Sequence, residues 1–147
     1  MNAEELHYRK LEQMYATAPV NDVIPCTVAI EHGRATVTVT TGPHLWHAAG
    51  SLHGSMYFKG LDDAAFFAAQ SAVLETFVLT AHFQLDLLGR VTGSELRAEG
   101  TLLNIEGRTL TAKAELFDET GTLVASGEGV FVKSGVRLDT IDTYALL

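Results

Sequence analysis

Three things are scarce in this sequence. It has one cysteine in 147 residues, which excludes an internal disulfide and a cysteine-built metal cluster and suits a reducing compartment, the cytoplasm. It has 10 lysines and arginines against 18 aspartates and glutamates, a formal net charge of −8. That balance excludes the broad basic face of a general nucleic-acid binder, though not an anion held by a few local cations. It also has no unbroken apolar run of membrane-spanning length: its most apolar stretch, Met56 to Leu74, is interrupted by Lys59, Asp62 and Asp63. The opening Met1-Asn2-Ala3-Glu4-Glu5 is acidic and lacks the apolar stretch of a signal peptide. Neither an internal repeat nor a linker divides the chain, so residues 1–147 are expected to form one domain with a real core.

What is present is organised around His53–Leu74. A short polar, glycine-containing entry, His53-Gly54-Ser55, leads into Leu61, Ala64, Ala65, Ala68 and Ala72 at helical spacing, with Met56, Phe58, Phe66, Phe67, Ala69 and Val73 covering most of the rest. A helix apolar nearly all round is a buried helix. Two carboxylates, Asp62 and Asp63, therefore fall in a helix that something must wrap, which is costly unless they are paired or used.

The flanks are of two kinds. Residues about 3–17 read as an amphipathic outer helix with Leu6, Leu11, Met14 and Tyr15 on its apolar side, stopped by Pro19. Ile24–Glu31 and Arg34–Thr41 alternate around His32-Gly33 as a hairpin, and Cys26 lies among the inward positions, a core residue. After the helix the chain becomes all strand. Phe77, Leu79, Ala81, Phe83, Leu85 and Leu87 alternate against Val78, Thr80, His82, Gln84 and Asp86; further strands follow around Leu96–Leu102, Leu110–Leu116 and Leu123–Phe131, with turns at Asn104–Gly107 and Asp118–Gly121. The tail from Ser134 shows no pattern. Alternating strands with short turns make an antiparallel meander. Gly100, Gly127 and Gly129 inside strands imply bends or a close helix.

A long helix wrapped by a curved antiparallel sheet of about five to six strands is an α+β arrangement that resembles the hot-dog fold. The loop-to-helix sequence Gly50-Ser51-Leu52-His53-Gly54-Ser55, followed by Asp62, resembles the His-Gly-Gly…Asp pattern of the hot-dog thioesterases, in the phenylacetate-pathway, 4-hydroxybenzoyl-CoA thioesterase-like subgroup. Thr80–Leu88, Gly93–Gly100 and Asp118–Ala125 are similar to that family's later strands, so the resemblance spans about 20–133. It implies that Gly54 offers its backbone N–H to the thioester carbonyl, that Asp62 is the catalytic carboxylate and that His53 is the motif histidine. Thr80 falls where some relatives use a serine hydroxyl. Two positions depart from the pattern: His47 stands where the family often has asparagine, and Ser55 replaces the second glycine.

Each of these residues also has a plainer reading. Gly54 could serve only a sharp turn, although a helix N-terminus with free N–H groups and no side chain in the way suits a developing oxyanion. Asp62 could pair with Lys59, but Asp63, at i, i+4 from Lys59, suits that pair better; Asp62 is therefore read as general base or nucleophile and Asp63 as structural. His53 is read as shaping the loop, His47 equally as a group that orients water or acts as a base and as a merely solvated one, and Thr80 as facing away from the core. Trp46, Tyr57 and Phe58 suit an acyl pocket or simply the core. Arg90, Arg108 and Lys133 suit coenzyme A phosphates or only solvent.

The resulting expectation is an acyl-thioester hydrolase, acting on acyl-coenzyme A, with no metal and no cofactor other than the coenzyme A of its substrate, and self-associating as a dimer or tetramer. Two alternatives are a non-catalytic acyl-thioester binding module and a dehydratase or hydratase of the same fold. His47 and Ser55 favour the first; the spacing of His53 and Asp62 along one helix opposes the second.

Overall fold

The computed structural model describes residues 1–146. Helix α1 (Ala3–Ala16) opens on a reciprocal cap: the Asn2 side chain accepts from the Glu5 N–H, and the Glu5 carboxylate accepts from the Asn2 N–H. A 3₁₀ turn at Pro19–Asp22 leads to β1 (Cys26–Glu31) and β2 (Arg34–Thr40). Helix α2 (Gly54–Gln70) follows a loop, and then come β3 (Thr76–Leu87), β4 (Glu95–Glu106), β5 (Thr109–Phe117) and β6 (Leu123–Arg137). The six strands form one antiparallel sheet in the order β1-β2-β4-β5-β6-β3. This is the hot-dog arrangement, α+β, with α2 across the concave face of the sheet.

Helix and sheet meet with almost no clearance. Gly60, Leu61, Ala64, Ala65 and Ala68 of α2 are buried against Val37, Val39, Leu96, Ala98 and Leu116. A Cβ on Gly100 would lie 2.1 Å from the Ala64 carbonyl oxygen, so the α2 backbone rests on a bare strand. The helix is nonetheless not wrapped all round. Ser55 and Phe58 are exposed, and Lys59, Asp62 and Phe66 are only half-buried. One stripe of α2 is left for something outside the chain's own sheet.

Two readings of the sequence are corrected. The tail from Ser134 is ordered: β6 runs on to Arg137, and a 3₁₀ turn at Leu138–Thr140 and helix α3 (Asp142–Ala145) return the chain to α1. Its anchors include polar contacts between the two ends of the chain, a pattern that alternation does not reveal. His7 Nδ1 is 2.7 Å from the Tyr144 hydroxyl, and Gln13 donates to the Thr143 carbonyl. The second correction concerns β3. Strict alternation places Thr80 away from the core, but its partner across the ladder is the fully buried Phe131, and its hydroxyl reaches α2. The pairing register shifts between Thr80 and His82, so Ala81 is an extra residue. A bulge of this kind switches which parity faces inward: Val78 and Thr80 face the helix before it, and Phe83, packed edge-on against Phe58, after it.

The two edges of the sheet are treated differently. At β1, Arg9 donates to the Ile30 carbonyl and Glu12 accepts from the Ile30 N–H, so α1 satisfies both free backbone groups of Ile30. At the opposite edge β3 pairs only with β6 among the described residues, and Leu79 and Leu87 are about half exposed there, at 48% and 54%.

Candidate active site

Helix α2 carries two polar positions two turns apart. At its start the His53 ring caps the helix, with Nδ1 accepting from the Ser55 N–H at 3.1 Å and lying 2.8 Å from the Ser55 hydroxyl. The Met56 N–H goes to the His53 carbonyl. The Gly54 N–H has no partner among the described residues. It is a free donor at the positive end of the helix dipole.

Around it lies a hollow of about 570 Å³ whose lining includes His47, Gly54, Tyr57, Leu87 and Arg90. The loop that forms it is tied down on several sides. His47 Nδ1 accepts from the Ala49 N–H at 3.1 Å, and Nε2 is 2.9 Å from the Ser51 hydroxyl. The Nδ1 acceptor role places the neutral ring's proton on Nε2, where it donates to Ser51. Tyr57 donates to the Gly89 carbonyl, and Arg90 to that of Gly50.

Further along α2, Asp62 stands at the edge of a second hollow of about 590 Å³, mainly apolar, whose floor includes Phe66, Phe67 and Phe77. Thr80 Oγ1 donates to Asp62 Oδ1 at 2.8 Å. Burial above all, and then neighbouring Asp63, push the Asp62 carboxyl up, the Thr80 hydrogen bond and the Lys59 charge hold it down, and the balance lies at about 6. Its neighbour is engaged differently. Asp63 Oδ2 receives Lys59 Nζ at 2.7 Å and the Tyr15 hydroxyl at 2.6 Å. The Lys59–Asp63 pair expected from spacing is present, and Tyr15 completes it.

Gly54 and Asp62 are eight positions apart (62 − 54) on a helix that is continuous between them. That is about 12 Å along the axis at about 1.5 Å per residue. Within one chain the free N–H and the carboxylate with the raised pKa do not face a common point.

A family model described as the thioesterase superfamily matches residues 49–125, which is 77 of the 147 residues (125 − 49 + 1) and takes in both hollows' helix. The chain belongs to the thioesterase superfamily. Solved structures of that fold are similar over most of this chain. The PaaI protein of the Escherichia coli phenylacetic acid degradation operon has a TM-score of 0.83 at 18% identity, over 92% of this chain and 99% of its own. A thioesterase family protein from Silicibacter pomeroyi has 0.79 at 21%, over 86% and 96%. A mutant of the phenylacetic acid degradation protein PaaI from Thermus thermophilus has 0.71 at 20%, over 80% and 100%. At these identities the likeness carries the fold alone. No curated protein matches the chain.

Within this thioesterase-superfamily frame, the expected site residues separate into groups. His53, Gly54 and Ser55 form the start of α2, with His47, Tyr57 and Arg90 around it; Asp62 and Thr80 form the second locus. Phe58 is on the open stripe of α2, against Phe83. Trp46 pairs with Leu52 in an isolated bridge and helps hold the loop. Arg108 lies in neither hollow; it sits in the β4–β5 turn and donates to the Lys133 carbonyl. What the residue pattern did not reveal is the wall of the second hollow: Met14, Pro19 and Val20 from the N-terminal segment, and Ile141 from the C-terminal one. These are far from Asp62 in sequence, and only the polar anchors His7 and Gln13 hint that the two termini meet.

Proposed function

We propose that this protein hydrolyses acyl thioesters, acyl-coenzyme A among them, at two equivalent sites, each built by two chains. The observation that carries this is the pairing on one helix of a free N–H donor at Gly54 with a half-buried carboxylate of raised pKa at Asp62, too far apart to act on one carbonyl. A donor and a base acting on one carbonyl must each lie within about 3–4 Å of it. A two-fold axis resolves this by setting Asp62 of one α2 beside Gly54 of the other. The open stripe of α2 and the uncovered β3 edge, with its exposed leucines, provide the surface for that pairing, while α1 blocks the β1 edge.

The chemistry then follows. The Gly54 N–H polarises the thioester carbonyl and receives the oxyanion. Asp62, held by Thr80, takes a proton from water as the water attacks the carbonyl carbon; the oxyanion then collapses, the C–S bond breaks, and the coenzyme A sulfur takes the proton from Asp62 and leaves as the thiol, which restores the carboxylate. Arg90, at the mouth of the Gly54 hollow, is placed for a phosphate of the departing coenzyme A. His47 keeps the loop in shape through both ring nitrogens and is read as a positioning residue.

The test mixes two inactive variants, Asp62→Ala and Gly54→Pro, after dissociation and reassociation. Proline suits the first helical position, removes the N–H in question and puts a ring carbon in its place, so both the donor and the room for the carbonyl oxygen are lost. Under random pairing about half the dimers are mixed, each with one intact site of two, so activity should return to about a quarter of wild type. A mixture that stays inactive after exchange is confirmed by mass overturns the shared site.

A further inference from the structure

The hollow beside Asp62 is bounded on its outer side by chain that lies outside residues 49–125, the span the family model matches. Met14 belongs to α1, Val20 to the 3₁₀ turn after it, and Ile141 to the C-terminal segment. These pieces are fastened together. His7 is 2% exposed and bridges the Tyr144 hydroxyl at 2.7 Å and the Gln70 carbonyl at 2.9 Å, tying α1 to α3 and to the end of α2. Gln13 donates to the Thr143 carbonyl, and Lys10 lies 5.2 Å over the Tyr144 ring. The wall is therefore one braced unit.

The chemistry inside it is uniform. Phe66, Phe67 and Phe77 form an aromatic floor; Phe66 meets the other two at 5.0 and 5.2 Å between ring centroids. The one cation among the described residues that line it is engaged: the Lys59 ammonium and the Tyr15 hydroxyl both donate to Asp63 Oδ2. Among those residues no cation is left over to receive an acyl carboxylate, and the carboxylate that remains, Asp62, repels one. At about 590 Å³ the hollow is within the roughly 300–1,000 Å³ that encloses a drug-sized ligand, and an acetyl group would leave most of it unfilled.

We infer that this hollow receives the acyl group, that it selects uncharged apolar acyl chains of more than a few carbons, and that Met14, Val20 and Ile141 on the braced terminal segments set the length accepted. This rests on the thioesterase reading and names its substrate class. Each methylene buried against such a lining adds about fourfold to binding.

The experiment compares acetyl-, butanoyl-, decanoyl- and succinyl-coenzyme A by thiol release, with calorimetric binding of the same compounds to Asp62→Asn. Decanoyl should exceed butanoyl by at least about 100-fold in kcat/KM, and butanoyl should exceed succinyl, its four-carbon acidic counterpart, by a similar factor. Val20→Trp, at an exposed wall position, should lower the decanoyl-to-butanoyl ratio at least tenfold, and Ile141→Ala should raise it, with thermal unfolding confirming that both variants fold. Hydrolysis with no preference among the four, or a ratio unmoved in both wall variants, overturns the inference and leaves the thioesterase reading standing. No hydrolysis of any of them, with decanoyl-coenzyme A still bound more tightly than succinyl and weakened by Val20→Trp, overturns the hydrolase and keeps the hollow's selectivity.

Discussion

Asp62 and Asp63 are adjacent on one helix, and their environments set them apart. Asp63 faces a cation and a hydroxyl and is spent on both; Asp62 has one hydroxyl donor and a largely apolar surround. Because burial raises the Asp62 pKa to about 6 from an ordinary value of 3.8, the native state favours its protonated form. The stabilisation from that form is complete below the unfolded pKa and is lost as pH rises through about 6. Asp62→Asn should therefore abolish hydrolysis and raise the unfolding temperature at pH 7–8, with the gain shrinking toward pH 4. The wild-type rate should fall below about pH 6 as the base is protonated. Thr80→Val removes a hydrogen bond that holds this pKa down, so the acid limb of the rate profile should move to higher pH. A limb that stays in place would mean that Thr80 does not act on Asp62. Asp63→Asn should lower the rate no more than a few-fold yet destabilise the fold by about 1–3 kcal/mol in denaturant titration, because Lys59 and Tyr15 lose their charged acceptor.

Helix α2 works as an element because its backbone touches the sheet. The Ala64 carbonyl rests on Gly100, where any Cβ would intrude to 2.1 Å of backbone that cannot swing away. Gly100→Ala should cost at least about 3 kcal/mol or prevent folding, at or beyond the upper end of ordinary overpacking. Gly135→Ala, also in a strand, has nothing within 4 Å of the new Cβ and no positive φ, and should change stability by less than about 0.5 kcal/mol. Thermal unfolding of the two variants side by side checks the contrast. The same close approach places α2 so that Asp62 clears the sheet and reaches Thr80, so the bare strand at Gly100 also positions the site.

For the whole molecule, the informative asymmetry is between the sheet edges. Arg9 and Glu12 satisfy the exposed backbone of Ile30 on β1, whereas among the described residues β3 keeps an unpaired edge bordered by Leu79 and Leu87. A long unpaired strand with apolar neighbours is a template for another chain. The expected species is a two-fold pair joined on the β3 side. Removing the guard with Arg9→Ala and Glu12→Ala together should leave that pair intact and add larger assemblies, read by light scattering after size exclusion. A wild type that runs as a single chain would remove the basis of the shared site.

The sequence by itself determined the architecture and where along the chain the buried helix with its two aspartates falls. Period-two alternation in Leu96–Leu102 and Leu110–Leu116, and the small-residue run at helical spacing from Leu61 to Ala68, depend on local geometry that every strand or helix shares, so they were legible before any contact was known. So was the Lys59–Asp63 pair, because an i, i+4 partner is fixed by helix pitch. Tertiary structure decided the rest. The single extra residue at Ala81 turned Thr80 toward Asp62, a change of face that alternation cannot announce because a bulge is an interruption of the period. The ordered tail, and the wall it builds with α1 beside Asp62, depend on His7 meeting Tyr144 across 137 positions of sequence. Such contacts are specified by where the chain ends meet in space, and neither segment carries a pattern of its own that says so.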